Sequence, residues 1–511
     1  MLAIVQSAAL QGIDAYLVTV EVDIQPGAPQ ITIVGLPDAA VQESRERVKT
    51  AIQNVELSYP WKRLTINLAP ADVRKEGPSF DLPIAVGLLA ASSQAPLESL
   101  EGCLFSGELS LDGTLRPING ALSMALMAKE MGFRRMIVPK ENAEEAAVVR
   151  EVSAYGAGDL RDVVRILHDF SSESPAYADL DAILSKLPEY PVDFDELKGQ
   201  PEARRAAEIA AAGGHNMLMI GPPGSGKTMI ARRMPTILPS MTLEEALETT
   251  RIYSAGGVLK AKGGLMTDRP FRSPHHTTSY AAVIGGGASP RPGEVSLAHN
   301  GALFLDELPE FKRDVLEALR QPLEDGLVSI ARVQASATYP ARFMLLAAMN
   351  PCPCGYYGDA RKACSCSPFT IRKYLQRISG PLLDRIDIHI EVPRLNEDHL
   401  LGQATGEGSE AIRDRVERAR ALQLERFKNE NAFCNAQMNG RMLRAHCQLD
   451  AESRDQLKDL TRAMGFSARA LDRLLKVART IADLSGDPGI RIEHLMESAQ
   501  YRTLDRKYFL E

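Results

Sequence analysis

The sequence predicts an α/β protein built on a parallel sheet that carries a phosphate-binding loop. An apolar run, Met217–Ile220, is typical of a strand buried on both faces, and it leads into a glycine-rich loop and then a helical pattern from Lys227. A second apolar run, Leu303 to Leu305, ends in Asp306-Glu307, 78 residues beyond the loop. This order of strand, loop, helix and acidic strand end indicates a nucleoside triphosphate site.

The loop reads Gly-Pro-Pro-Gly-Ser-Gly-Lys-Thr, a complete G-x4-G-K-[ST] pattern. Its glycines permit a tight turn in which backbone N–H groups converge on phosphate oxygens at the start of a helix. The lysine would neutralise those oxygens, and the threonine hydroxyl would bind Mg²⁺. The candidate ATP-binding residues are Gly221, Pro222, Pro223, Gly224, Ser225, Gly226, Lys227 and Thr228.

The two adjacent acids are predicted to divide two tasks. Asp306 would hold the same Mg²⁺ ion through water, at the end of the second strand. Because Asp306 is committed to the metal, Glu307 is left to orient and polarise the attacking water. The pair favours an ATPase motor over a kinase. Taken alone, the dipeptide also fits a solvated junction between strand and loop.

Length and composition limit the class of protein. A chain of 511 residues has room for about two to four domains. The net charge of −7 gives no overall sign of a polyanionic partner, so any nucleic-acid surface must be local. We expect a cytoplasmic protein that does not enter a membrane, because no run of about eighteen apolar residues and no basic flank of a secretory signal is present.

Periodicity along the chain predicts the domain organisation. Strand patterns occur early, as at residues 16 to 22 and 64 to 68, and a long helical pattern runs from Ala468 to Leu484. Between them, residues 169 to 195 contain prolines and serines without apolar periodicity. We predict an α/β domain at 1–168, a linker at 169–195, an ATPase core at 196–392 with inserted loops at 255–300 and a cysteine loop at 350–368, and a C-terminal helical lid at 393–511.

The inserted span 255–300 is rich in glycine and proline. It is either a set of connectors or a surface that meets phosphate, because basic side chains and two adjacent histidines accompany the glycines. The residues concerned are Arg269, Arg272, Arg291, His275 and His276.

Four of the seven cysteines cluster as two C-x-C pairs separated by nine residues. Four thiolates in one loop suit tetrahedral Zn²⁺, although the usual knuckle is C-x2-C, and free thiols or a labile disulfide are the alternatives. Metal would order a loop that is too small to build a core of its own. The candidate zinc ligands are Cys352, Cys354, Cys364 and Cys366.

Basic residues also gather around these cysteines. Residues 341 to 380 include six basic residues and one acidic residue, Asp359, so this segment has five more positive than negative charges in a protein that is acidic overall. This local charge is a candidate DNA contact, with Tyr356 and Tyr357 either stacking on unpaired bases or packing the loop. The six are Arg342, Arg361, Lys362, Arg372, Lys373 and Arg377.

Four longer motifs accompany the nucleotide signatures: Arg272-Ser-Pro-His-His276, Met349-Asn-Pro-Cys-Pro-Cys-Gly355, Ser379-Gly-Pro-Leu-Leu-Asp-Arg-Ile-Asp387 and Ala478-Arg-Thr-Ile-Ala-Asp-Leu484. Through them the chain resembles the ComM/YifB group of magnesium-chelatase-like AAA+ ATPases along essentially its whole length. The resemblance implies a ring-forming ATPase with an AAA+ P-loop core, a parallel sheet and a helical lid.

The resemblance also implies three further catalytic residues. Asn350 would sense the γ-phosphate, although a turn residue before proline is the alternative. Arg385 would be an arginine finger that reaches the nucleotide of a neighbouring subunit, or else would pair with Asp384 or Asp387 in its own chain. Arg469 would be the second sensor arginine on the lid, or one charge among several on a solvated helix.

The first domain carries Asn67-Leu-Ala-Pro-Ala-Asp72, Lys75-Glu-Gly-Pro-Ser79 and Ser106-Gly-Glu-Leu-Ser-Leu111. These motifs resemble the proteolytic domain of Lon-type proteases, a ribosomal S5-like α/β fold. Ser79 matches the nucleophile, but Leu122 stands where the partner lysine should be. A serine hydroxyl without a base is a poor nucleophile, so a structural or recognition module is expected instead of a peptidase.

The residues predict ATP hydrolysis, and the resemblance implies the rest of the function: a hexameric, helicase-like DNA motor that promotes branch migration during recombination in natural transformation. Its cofactors would be ATP, Mg²⁺ and Zn²⁺. Its partners would be single-stranded or branched DNA, other copies of the chain and recombination proteins. A chelatase-like or chaperone-like remodeller of a protein partner is the alternative, and a zinc-containing DNA scaffold with incidental ATPase activity is a third possibility.

Overall fold

The computed structural model confirms the α/β class and describes residues 1–186, 190–260, 263–287, 290–331, 336–359, 361–395, 406–504 and 508. The predicted linker, insertion, cysteine loop and lid therefore each include positions outside the described residues. The chain forms two compact units. One comprises Met1–Leu187, Leu243–Thr267 and Ala335–Thr338, and the other Pro188–Thr242, Asp268–Gln334 and Tyr339–Glu511.

The first unit is built on a mixed sheet of seven strands. Its strand order reflects an antiparallel meander of the first, second and fourth strands, extended by parallel pairs on both sides. Alternate residues of the long second strand are buried, which fixes its register against the core. In spatial order the strands are Gln30–Val34, Arg63–Ala69, Asp14–Gln25, Leu2–Gln11, Cys103–Phe105, Arg135–Pro139 and Ser153–Ala157.

Seven helices of this unit accompany the sheet among the described residues. Asp81–Ala91 is buried along its whole length, as expected from its unbroken apolar sequence. The remaining helices are Ala39–Asn54, Ala121–Glu130, Lys140–Ala147, Leu160–His168, Leu180–Ser185 and Leu243–Ala255, and a two-stranded ribbon joins Glu108–Leu109 to Leu115–Arg116.

The second unit holds the predicted parallel sheet. Five strands lie in the order Phe271–Arg272, Ala302–Leu305, Met344–Met349, Met217–Ile220 and Ile388–Glu391, and every pair is parallel. The three central strands are fully buried because their sequences are apolar on both faces. Parallel strands bring their carboxyl ends to one edge, and this edge positions the candidate site.

Helices complete the second unit, and the C-terminal region is helical as predicted. The helix Ala468–Ser485 begins after the N-cap Ser467 and ends at Gly486, and its apolar face packs on Pro201–Gly213. The other helices are Lys227–Arg233, Tyr280–Ile284, Glu294–Leu297, Arg313–Ala318, Arg320–Asp325, Pro368–Leu375, Gly380–Leu383, Ser409–Arg426, Gly440–His446, Ala451–Met464 and Ile492–Gln500.

The span predicted as inserted loops contains regular elements as well as loops. Phe271–Arg272 is the edge strand of the parallel sheet, and Gly285–Gly286 pairs with Arg291–Pro292 in a short antiparallel ribbon. Beyond this span, the chain forms two further short strands, Leu327–Ala331 and Ser336–Pro340. Within the described part of the chain, no helix has the length and apolar character needed to cross a membrane.

Candidate active site at the carboxyl edge of the parallel sheet

The phosphate loop connects the central strand Met217–Ile220 to the helix that begins at Lys227. Gly224 and Gly226 have φ angles of 75° and 97°, a region that favours glycine. The backbone carbonyl of Ser225 accepts a hydrogen bond of 2.7 Å from Nε2 of Gln200, which fixes the outer end of the loop. Gln200 belongs to no recognisable motif, so the sequence could not single it out.

Lys227 lies beneath the loop with its ammonium group directed at backbone carbonyls. Its Nζ donates hydrogen bonds to Gly221 O at 2.7 Å and Pro222 O at 3.0 Å, and to Oδ1 of Asn350 at 3.3 Å. Burial lowers the pKa of Lys227 to about 8, although the charge of Asp306 partly opposes this shift. The structure thus joins the predicted phosphate-binding lysine to the predicted γ-phosphate sensor.

Thr228 and Asp306 meet at the carboxyl end of the strand Ala302–Leu305. The Thr228 hydroxyl donates a hydrogen bond of 2.8 Å to Oδ2 of Asp306. An adjacent hydroxyl and carboxylate are oxygen ligands of the kind that Mg²⁺ takes beside a nucleotide, either directly or through its waters. The donor set that the sequence assigned to the metal is therefore assembled in one place.

Glu307 follows Asp306 directly, and its backbone conformation is unusual for a residue other than glycine. Its φ of 55° and ψ of 47° are left-handed, a conformation that costs a non-glycine residue about 1–2 kcal/mol. Its side chain is 54% exposed, and Oε2 lies 3.3 Å from Nδ1 of His276. The carboxylate is thus accessible to water beside the Thr228–Asp306 pair. The sequence marked His276 only for a phosphate-facing surface and did not predict this contact.

Arg385 follows the short helix Gly380–Leu383 and is 7% exposed. Its guanidinium pairs with Glu324 and donates a hydrogen bond of 2.6 Å to Pro381 O. The carboxylate in contact with Arg385 is therefore neither of the two that the sequence suggested. Asp387 is instead buried between Arg473 and His215, which lie on its two sides.

Arg469 lies in the first turn of the helix Ala468–Ser485 and is exposed. It forms no hydrogen bond or salt bridge with any residue that the structure describes. Arg473, one turn further along the same helix, pairs with Asp387 and donates to Arg385 O at 3.0 Å. Sequence reasoning did not single out Arg473.

The four clustered cysteines come together although they are separated in sequence. Sγ of Cys352 lies 3.3 Å from that of Cys354 and 3.7 Å from that of Cys364, and all four sulfurs, including Cys366, fall within 4.8 Å of one another. Sulfurs around tetrahedral Zn²⁺ are separated by about 3.8 Å, given Zn–S bonds of about 2.3 Å. A disulfide would need about 2.05 Å, and the four thiols are free. The donor set fits a thiolate-binding metal ion.

Basic and aromatic side chains lie on the surface around this cluster. Lys362 Nζ is 4.1 Å from the centre of the Tyr356 ring, while Tyr357 is 42% exposed and Phe369 is 75% exposed. Arg372 and Lys373 are exposed on the following helix, whereas Arg377 pairs with Glu310 at 2.7 Å. We refer to six exposed residues of this segment as the basic aromatic surface: Tyr357, Arg361, Lys362, Phe369, Arg372 and Lys373.

Two of the basic residues of the inserted span form hydrogen bonds within the local fold. Arg269 donates to the carbonyl of Asn300 at 2.6 Å, and Arg272 forms a two-pronged pair with Glu294 at 2.6 and 2.7 Å. Both side chains therefore support the local fold. Arg291 is exposed.

For the peptidase alternative, none of the described residues of the first unit is hydrogen-bonded to Ser79 as a base. Ser79 Oγ forms no hydrogen bond with the described residues, and Leu122 is fully buried. The N–H of Leu122 donates a hydrogen bond of 2.8 Å to Glu145, whose buried carboxyl group also contacts Ser254. The position expected to hold a catalytic lysine is thus part of a packed interior.

Comparisons with known proteins agree with this architecture. Residues 193–400 match the family model for magnesium chelatase, subunit ChlI, while residues 20–142 and 406–502 match two further models of that subunit. The competence protein ComM of Haemophilus influenzae is 44% identical over 509 residues, covering 99% of this chain and 98% of the relative. The uncharacterised protein YifB of Escherichia coli is 45% identical over 513 residues, with the same coverage. A peroxisomal Lon protease homolog of Caenorhabditis elegans is 32% identical over 120 residues, 22% of this chain and 15% of the relative.

Proposed function

The chain belongs to the ComM/YifB family of magnesium-chelatase-like AAA+ proteins, and from this membership we propose that it is a cytoplasmic, hexameric, ATP-hydrolysing DNA motor. Its helicase-like activity would drive branch migration when incoming DNA recombines during natural transformation. The observation that carries the proposal is the convergence of Lys227, the Thr228–Asp306 pair and the accessible Glu307 at one edge of the sheet.

In the proposed mechanism, each of these side chains acts on the bound nucleotide. Lys227 exchanges its bonds to loop carbonyls for the β- and γ-phosphate oxygens. Thr228 and Asp306 would hold Mg²⁺, which would supply neutralisation of phosphate charge when it is bound. Glu307 orients the attacking water and polarises it, and Asn350 holds the γ-phosphate through its amide.

The DNA substrate is proposed from two observations. The basic aromatic surface offers cations for phosphates and exposed rings on which unpaired bases stack, in a chain whose overall charge is −7. The Haemophilus relative is named a competence protein, and DNA uptake is the process that this word describes. Recombination proteins that supply or receive the DNA strands are the expected further partners.

The ring is proposed from the position of Arg385. A guanidinium fork matches the oxygens of a γ-phosphate and stabilises the charge of the transition state. Within one chain the fork is held by Glu324, so its action on a neighbouring nucleotide requires that the phosphate displace this carboxylate. Subunit contact and catalysis would then be coupled.

We assign the four-cysteine site to Zn²⁺, which thiolates select and which needs no redox partner. One zinc ion per chain is expected by atomic absorption. Cys352→Ser should lose it, because Cys352 is the buried ligand, whereas Cys103→Ser should keep it, because Cys103 lies in the other unit. A zinc-free chain that is fully active would overturn this assignment.

The test of the motor is the steady-state ATPase rate without DNA and with single-stranded, duplex or four-way-junction DNA. Glu307→Gln, run alongside, excludes a contaminating ATPase. We expect stimulation that is largest for single strands or junctions. A rate that no DNA changes would contradict the proposal and favour the second candidate, a chelatase-like or chaperone-like remodeller of a protein partner. The match to the magnesium chelatase subunit is the observation that favours that candidate.

A further inference from the structure

We propose that the metal site in the cysteine loop, residues 350–368, braces the phosphate loop, so that occupancy of the metal site controls ATP binding and turnover. This inference rests on the proposed zinc site and on the proposed ATPase. It adds a regulatory connection between them, and it is carried by contacts that join the two loops within one unit.

The first contact is at Gly355, which follows Cys354. Gly355 has a φ of 87°, and a β-carbon built on it would lie 2.5 Å from Cδ and 2.7 Å from Cγ of Pro223. Such separations are far inside van der Waals contact, so the cysteine loop lies directly against the proline of the phosphate loop. The same β-carbon would lie 3.9 Å from Cγ of Asn350.

The second connection runs through the backbone. Asn350 accepts a hydrogen bond from Lys227, and only Pro351 separates it from Cys352. The Cys352 side chain is fully buried, its carbonyl accepts a bond of 2.9 Å from Gly355 N, and its sulfur accepts one of 3.3 Å from Tyr357 N. Through Pro351 and Cys352, the proposed γ-phosphate sensor Asn350 is therefore linked directly to the metal site.

The third contact uses Arg394, which follows the edge strand Ile388–Glu391. Its guanidinium donates a bond of 3.4 Å to Pro223 O and lies 5.7 Å from the centre of the Tyr356 ring. A cation near an aromatic face is attracted to it. Pro223 is consequently held on one side by Gly355 and on another by Arg394, which itself contacts the cysteine loop.

Metal would determine whether this brace exists. The cysteine loop is too short to build a core of its own, so we expect cross-linking by a bound ion to order it. Four sulfurs within 4.8 Å also repel one another as thiolates unless a cation lies between them. Removal of the ion should release Gly355 from Pro223 and free Asn350 from its place beside Lys227.

Two glycines of this loop provide a matched test. Gly355 and Gly358 both have left-handed backbones, with φ of 87° and 78°, so alanine strains both equally. The alanine methyl group would collide with Pro223 at position 355 but would meet nothing within 4 Å at position 358. Gly355→Ala should keep zinc and reduce kcat/KM for ATP by about 10- to 100-fold, because small displacements of positioning groups have effects of this size. Gly358→Ala should stay within about twofold of the wild type.

The same readouts are taken on the full chain with Zn²⁺ bound and after its removal by a chelator. Affinity for a fluorescent ATP analogue is measured as well as hydrolysis, and circular dichroism verifies that the fold persists. We expect the stripped chain to bind the analogue at least about tenfold more weakly and to recover when Zn²⁺ is added back.

Equal nucleotide affinity with and without Zn²⁺, or equal effects of Gly355→Ala and Gly358→Ala, would overturn the brace. A chain that binds no zinc yet binds ATP normally would do the same. If the chain hydrolyses no ATP at all, the proposed motor fails, but nucleotide affinity still decides whether the two loops are connected. The two failures are therefore distinguishable.

Discussion

The buried position of Lys227 predicts that ATP binding is accompanied by proton uptake. Burial lowers the pKa of Lys227 from 10.5 to about 8 in the protein without nucleotide. Phosphate oxygens favour the charged ammonium, so the pKa rises again when ATP binds. In the free protein Lys227 therefore loses its proton as the pH rises through about 8. Above this pH, ATP binding requires that Lys227 take up a proton again. Affinity for ATP should consequently fall as the pH rises through this value.

The size of the effect follows from the pKa. With a value of about 8, roughly a tenth of Lys227 is neutral at pH 7, about half at pH 8 and about nine-tenths at pH 9. These fractions are the number of protons expected to be taken up per ATP bound. Between pH 7 and pH 9 the association constant should fall about tenfold, or about 1.4 kcal/mol.

Calorimetric titration of ATP in buffers with different enthalpies of ionisation measures the proton uptake directly. Lys227→Arg is the matched control, since a guanidinium does not titrate in this range. Whatever affinity this variant retains should be independent of pH from 7 to 9, apart from contributions of other groups, which the comparison subtracts. Uptake near zero at pH 8 in the wild type, or equal uptake in the variant, would refute the reasoning.

Three further predictions concern turnover and DNA. Glu307→Gln should bind ATP as the wild type does but hydrolyse it about 10²- to 10⁴-fold more slowly in a single-turnover assay, and equal rates would remove Glu307 as the base. Arg385→Ala should assemble into rings, as seen by light scattering, yet show a kcat that is about 10³-fold or more lower. Hydrolysis recovered by mixing it with Glu307→Gln subunits would place its action across an interface, whereas an active Arg385→Ala ring would exclude the finger. Arg372→Ala with Lys373→Ala should reduce the slope of log affinity for duplex DNA against log salt by about 0.9 for each phosphate that is no longer neutralised, measured by fluorescence anisotropy, and an unchanged slope would place DNA elsewhere.

The sequence predicted those features of the site that short segments of the chain specify. A strand, a glycine loop and a helix are specified by consecutive residues, and Asp306 directly follows the apolar strand Ala302–Leu305. In the sheet, one strand separates Ala302–Leu305 from Met217–Ile220. Parallel topology then brings Thr228 and Asp306 within hydrogen-bond distance. The four cysteines were also recognisable, because their spacing is short and loop closure alone can gather them.

The contacts that the sequence could not predict depend on packing between distant segments. Glu324 precedes Arg385 by 61 residues and matches no pattern, whereas the nearby Asp384 and Asp387 were the obvious acids. His276 reaches Glu307 only because the edge strand Phe271–Arg272 pairs with Ala302–Leu305. Gly355 contacts Pro223 for the same kind of reason. Periodicity reports which face of an element is buried, but it does not report which neighbour covers that face.

The two cations assigned to the phosphates share a property that orders the events of the proposed cycle. Lys227 is held by backbone carbonyls and Arg385 by Glu324, so each is placed before nucleotide arrives and each must exchange one partner for another. Neutral carbonyls compete weakly with a triphosphate, and Lys227 therefore transfers readily when ATP enters its own subunit. A carboxylate competes strongly, so Arg385 transfers only when the γ-phosphate of a neighbour is brought close enough to displace Glu324. In this proposed cycle ATP would bind before the complete site is assembled, and hydrolysis would wait for the contact between subunits.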